Sequence, residues 1–114
     1  MQDDTRPEAI CVLFVTIDEP SAATFARAAV ETRLVACANL VPGARSVYWW
    51  DGKVCEDEEV LVWMETRADD VEARIAALAA LHPYDTPEFL VAPMDSGSAK
   101  YLAWLADSCL IKPT

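Results

Sequence analysis

Basic residues, glycine and histidine are scarce in this chain. Lys and Arg number 9 against 19 acids, so the formal net charge is −10 and the pI lies near 4.3. Phosphate backbones attract the opposite balance, so nucleic acid is not an expected partner. The same shortage leaves no basic patch for a membrane surface. No apolar run approaches the roughly 18–20 residues of a membrane span. With three glycines in the chain, there is no Gly-rich phosphate loop. The only histidine is His82, and no Ser-His-Asp arrangement is visible, so no enzymatic activity is expected. Cys11, Cys37, Cys55 and Cys109 form no C-x-x-C pair and no zinc spacing. Their expected state is reduced, as small hydrophobes. Residues 1–9 are polar and lack a signal-peptide core. They read as a short disordered N-terminus on a cytoplasmic protein.

Apolar residues are plentiful: 54% hydrophobic against 25% charged describes a globular chain. Residues 10–114 suit one domain. Its organising stretch is residues 36–66. Two long apolar runs there flank Asp51-Gly52, a dipeptide that suits a type I′ hairpin turn with φ > 0 at both central positions. Placing Trp50 opposite Lys53 sets Arg45 against Glu58, Val47 against Glu56 and Tyr48 against Cys55. Pro42-Gly43 predicts a bulge in the first arm, because Pro lacks a ladder donor. Arms of about 15 residues would span roughly 50 Å, well beyond the usual strand of about 5–6 residues. The tip carries Tyr48, Trp49 and Trp50. The return arm is apolar at every position from Val60 through Trp63 to Met64, so both of its faces should be covered. Helices can cover one face. A second copy of the chain is the simplest cover for the other, and Tyr48, Trp49, Trp50 and Trp63 are the expected interface residues.

The rest of the chain fills in around the hairpin. Ile10–Thr16 reads as a central strand. Asp18-Glu-Pro-Ser21 opens a helix expected to run to about Leu34, burying Ala26, Ala29 and Val30. Val71, Ile75, Leu78 and Leu81 make the stripe of a second helix, which His82-Pro83 ends. Phe89–Ala92 reads as a short edge strand stopped by Pro93. A third helix over 99–108 is expected to bury Leu102, Trp104 and Leu105. The order β-α-β-β-α-β plus a C-terminal helix predicts an α+β, ferredoxin-like sandwich with a long protruding hairpin.

Four stretches resemble one family. Val35–Gly43, Ser46–Lys53, His82–Glu88 and Tyr101–Trp104 are similar, in order and spacing, to the CutA divalent-cation tolerance proteins. The resemblance implies a ferredoxin-like protomer in a homotrimer built by pairing the long ribbons. It also implies kinship with PII-type signalling trimers and a role in tolerance of copper and other divalent cations. No settled reaction comes with it.

The site candidates combine both readings. His82 is a candidate metal ligand, since imidazole is the commonest transition-metal ligand, and the resemblance matches it to a copper ligand. Glu88 and Cys37 are the further candidate ligands. Relatives place a Cys where this chain has Val15 and a second His where it has Leu81. Neither residue here can ligate, so copper or another divalent cation is expected to bind only weakly. Asn39, Trp50, Tyr84 and Glu65 are expected to line a cleft between subunits. Glu65 stands where relatives commonly carry Lys, which would turn the cleft toward cations. Glu56-Asp57-Glu58-Glu59 reads as a solvated, aggregation-limiting edge. The alternative function is a PII-like small-molecule sensor or signalling scaffold with no physiological metal.

Overall fold

The computed structural model describes residues 10–110. The expected disordered segment 1–9 lies outside them. Along the chain run β1 (Ile10–Ile17), α1 (Glu19–Glu31), β2 (Cys37–Trp50), β3 (Lys53–Arg67), α2 (Val71–Leu81), β4 (Leu90–Met94) and α3 (Ala99–Ser108). The strands form one sheet in the order β2-β3-β1-β4, with every pairing antiparallel. This is the ferredoxin-like α+β arrangement, and β1 is central as its unbroken apolar run requires.

Alternation divides the sheet into two faces. Cys11, Leu13, Val15 and Ile17 pair with Thr66, Met64, Val62 and Val60. These point toward the helices and join Ala22, Phe25, Ala29 and Leu78 in the main core. Each large apolar side chain buried there stabilises the fold by about 1.5–3 kcal/mol. The intervening residues, including Phe14, Leu61 and Trp63, point the other way. At one end of that second face lies α3, where the Ala106 carbonyl accepts from Arg67 Nη1 (3.3 Å). Leu105 and Cys109 pack there with Ile10 and Ala36.

The hairpin has the expected register. Trp50 faces Lys53, Tyr48 faces Cys55, Val47 faces Glu56 and Arg45 faces Glu58. Asp51 and Gly52 have φ of 55° and 77°, the two positive values that a I′ turn needs. The ladder shifts between Val41 and Ala44, with Gly43 at φ 83°, so Pro42-Gly43 does make a bulge. The arms give the molecule its longest extent, 55 Å against 25 and 23 Å.

Several boundaries and faces differ from the sequence reading. Helix α1 ends at Glu31, three residues early. Thr32 Oγ1 bonds back to the Ala28 and Ala29 carbonyls, and Arg33 turns left-handed at φ 61°. The buried stripe is Ala22, Phe25, Ala26 and Ala29, while Val30 is exposed. Strand β4 runs through Pro93 to Met94, which an edge position permits. Leu81 and Trp104 are exposed. In the stripe of α2, Arg74 takes a core place and is fully buried. It lies three residues after Val71 and four before Leu78, so helical geometry puts it on that face. Backbone carbonyls of Asp69 and Leu34 accept from it at 3.1 and 3.2 Å. The Leu110 carbonyl accepts from it as well.

Candidate functional site

His82 caps the C-terminal end of α2. Its backbone is extended (φ −90°, ψ 141°), as a residue before Pro prefers. The ring is 7% exposed and packs edge-on against Phe25, Tyr84 and Phe89. Its Nε2 lies 2.9 Å from the Thr16 carbonyl, and its Nδ1 accepts the Tyr84 N–H at 3.1 Å. A carbonyl can only accept, so Nε2 carries the proton and Nδ1 the lone pair. Nε2 ties the loop to β1, and Nδ1 fixes the 82–84 turn on itself. A metal at His82 must first displace one of these bonds.

Two neighbours share this corner. Glu88 Oε1 accepts from Thr16 Oγ1 at 3.2 Å. The Tyr84 hydroxyl donates to Glu59 Oε2 at 2.6 Å. Burial pushes the Tyr84 pKa upward, and the bond and charge of Glu59 raise it further. Glu59 thus leaves the solvated role expected of the 56–59 run and becomes a buried acceptor.

Cys37, Asn39 and Glu65 lie elsewhere, on the face away from α1 and α2. Cys37 pairs with Glu65 and Asn39 with Trp63 across β2 and β3. Glu65 is held on both oxygens: the Tyr101 hydroxyl donates to Oε1, and Trp63 Nε1 donates to Oε2 at 3.1 Å. The bond to Glu65 pushes the Tyr101 pKa up, with burial and the nearby Cys37 adding to it. Asn39 Nδ2 lies 3.5 Å from Cys37 Sγ, so its partner is this thiol.

Within one chain, then, the expected site residues fall in three places. His82, Tyr84 and Glu88 sit where Thr16 faces Leu61. Asn39 lies two residues further along β3, opposite Trp63, and Cys37 and Glu65 lie four residues along, roughly 7 and 13 Å away at 3.3 Å per residue. Trp50 is at the hairpin tip, thirteen residues from Cys37 along β2, or roughly 43 Å. Trp49 and Trp50 are exposed there, Trp49 at 74%. The Tyr48 hydroxyl donates to Asp57, and that bond pushes its pKa up to about 12. Arg45 pairs with the diagonal Glu56 at 2.6 Å, not with its opposite Glu58. Among the described residues, no three of His, Cys, Asp or Glu gather closely enough to hold a metal ion. A shallow pocket of about 280 Å³ opens between α1 and α3, lined by Arg33, Val35, Trp104 and others. None of the expected site residues lines it.

Two contributors escaped the sequence reading. Tyr101 reaches Glu65 only because α3 folds back over the sheet, and spacing carries no trace of that. Arg74 could have been found, since it interrupts an apolar stripe at a core position.

A small antiparallel α+β sheet protein with an overlong hairpin and a histidine-anchored loop is the class these features define. The chain belongs to the family of the CutA1 divalent ion tolerance protein, whose sequence model matches residues 10–108. The divalent-cation tolerance protein CutA of Pectobacterium atrosepticum is 40% identical over 105 residues, covering 92% of this chain and 96% of that protein. The Salmonella newport protein of the same name is 42% identical over 104 residues, with 91% and 90% covered. Among solved structures, CutA1 from Oryza sativa superposes with a TM-score of 0.87 at 37% identity, covering 92% and 97% of the two chains. The Thermus thermophilus divalent cation tolerance protein gives 0.82 at 40% identity, covering 88% and 98%. The family is one of tolerance proteins and is not named for a reaction. Among the described residues, no helix is long and apolar enough to cross a membrane.

Proposed function

We propose that this chain works as a non-enzymatic, cytoplasmic homotrimer in divalent-cation tolerance, copper included, and binds cations weakly at clefts between subunits. The observation that carries the reading is the uncovered sheet face. Trp63, Val41 and Leu90 are exposed on it, while the other face of β1 and β3 is a closed core. A patch of that kind marks an interaction surface. Because the candidate ligands are divided within the protomer, a neighbouring copy is what would bring Glu88 and His82 toward Cys37 and Glu65. The donors are few and mixed, with one thiol, two carboxylates and an imidazole already hydrogen-bonded, so affinity is low.

A second reading is a PII-like metabolite sensor. Trp63 and Tyr101 flank the Glu65 carboxylate, with Trp104 beside Tyr101 at 5.3 Å and tilted by 37°. Aromatic walls around one acid suit a small organic cation. A thermal-shift screen separates the two readings, since any ligand of the native state raises Tm by mass action. Cu²⁺ or Zn²⁺ should raise Tm only at high concentration, and less in Glu88→Gln. A shift with amines or nucleotides alone would favour the sensor. Nanomolar Cu²⁺ affinity in His82→Ala would overturn the ligand set.

A further inference from the structure

The four cysteines include one pair that the fold brings together across 98 positions. Cys11 on β1 is the direct partner of Thr66 on β3, so their side chains rise from the same face about 4.5–5.5 Å apart at Cβ. Cys109, just past α3, places its Sγ 3.5 Å from Thr66 Oγ1. Thr66 donates its one hydroxyl hydrogen to the Leu34 carbonyl at 2.7 Å. Cys109 is therefore the donor in its contact with Thr66. Cys11 makes only a long contact to the Arg67 carbonyl, 3.9 Å. Both thiols are free and buried, at the seam where the main core meets the cluster under α3.

A cation stands next to them. Arg74 donates to the same Leu34 carbonyl as Thr66, at 3.2 Å, and to the carbonyl of Leu110, the neighbour of Cys109. Asp69 faces the same cluster and accepts from Arg67 and Arg74 at 3.0 and 3.4 Å. Burial pushes the Cys11 thiol up to about 11, Arg74 pulls it down, and Cys109 and Asp69 push it up again.

We propose that Cys11 and Cys109, which both neighbour Thr66 and lie near the Arg74 guanidinium, form a two-thiolate site for a soft monovalent metal ion such as Cu(I). Soft thiolates select Cu(I) over hard divalent ions. Two sulfur donors, with no third thiol beside them among the described residues, suit linear coordination, which would span about 4.6 Å from sulfur to sulfur if each bond matched the zinc–thiolate length of about 2.3 Å. The step balances without a redox partner. One M⁺ and two thiols give a dithiolate complex of charge −1 and two released protons. Arg74 faces that negative charge. The site is distinct from the cleft around Glu65 and Glu88 and uses neither carboxylate.

Ag(I), a redox-inert soft monovalent ion, is the probe. The full chain carrying Cys37→Ser and Cys55→Ser keeps only the buried pair. Titrated anaerobically, it is expected to bind one Ag(I) per chain, release two protons and rise in Tm. In that background Cys11→Val, which preserves an apolar core residue, and Cys109→Ala should each abolish uptake. The proposal is overturned if the chain with the buried pair alone takes up no Ag(I). It is equally overturned if Cys11→Val binds as before. Cleft binding of Cu²⁺ is read separately in the Glu88→Gln chain, so either site can fail alone.

Discussion

The two faces of this sheet are made by the same strands, and only one is finished. On the helix side, Leu13, Val15, Val62 and Met64 are fully buried under α1 and α2. On the other side, Phe14 packs edge-on with Trp63 at 5.1 Å, and Trp63 remains 38% exposed. Both faces are apolar in sequence, yet α3 covers only the end near Arg67. Burial on the first face explains why the chain folds. Exposure on the second leaves a surface that the proposed association between copies would cover. The long hairpin extends the same contrast, with its root in the core and its tryptophan tip in solvent.

The sharpest way to break the finished face is Arg74→Leu. It leaves the Leu34, Asp69 and Leu110 carbonyls without their guanidinium and removes a partner of Asp69. Losing one member of a buried charged network typically destabilises by about 3–5 kcal/mol, which chemical denaturation would measure. Leu13→Ala should follow, at about 2–5 kcal/mol, because it empties a close-packed site. Trp63→Lys sharpens the contrast from the other side. Losing the Phe14 ring contact and the bond to Glu65 should cost an isolated protomer about 1 kcal/mol. The main expected effect of Trp63→Lys is on association: Tm should lose its dependence on protein concentration.

The smallest effect concerns pH. Burial raises the Asp69 carboxyl, but the bonds and charges of Arg67 and Arg74 outweigh it and hold the pKa below its ordinary value. A lowered native pKa contributes stability above the unfolded value of about 3.9, and that stability is lost as pH falls through the native value. Asp69 is partly exposed, so its pairs contribute only about 0.2–1 kcal/mol. Asp69→Asn should therefore be slightly less stable than the parent at pH 7. The gap should close in acid. Thermal melts across pH 2–7 would show it, and a gap that persists at pH 2 would mean that charge is not the cause.

Much of the fold was legible because its signals are local. Asp51-Gly52 specified the turn, and the turn specified every pairing of the hairpin tip. Pro42-Gly43 specified the bulge. The errors lie where tertiary contacts override local pattern. Val30 fits a helical stripe, but the early stop at Thr32 leaves it at the rim. Trp104 is apolar, yet α3 turns Leu105 inward instead. The candidate site was legible as residue types and not as a constellation. His82 was identifiable, but the bond that buries it runs to Thr16, sixty-six positions away. The Cys11–Thr66–Cys109 cluster needs both the β1–β3 register and the docking of α3, and neither is written in cysteine spacing.

The mass of the reduced chain at micromolar concentration, by light scattering or sedimentation equilibrium, bears most directly on the unfinished face. If other copies cover it, the mass should be about three times 12.5 kDa, and Trp63→Lys should lower it. A parent chain that stays at about 12.5 kDa would mean that this face is exposed in solution and that the subunit clefts do not exist.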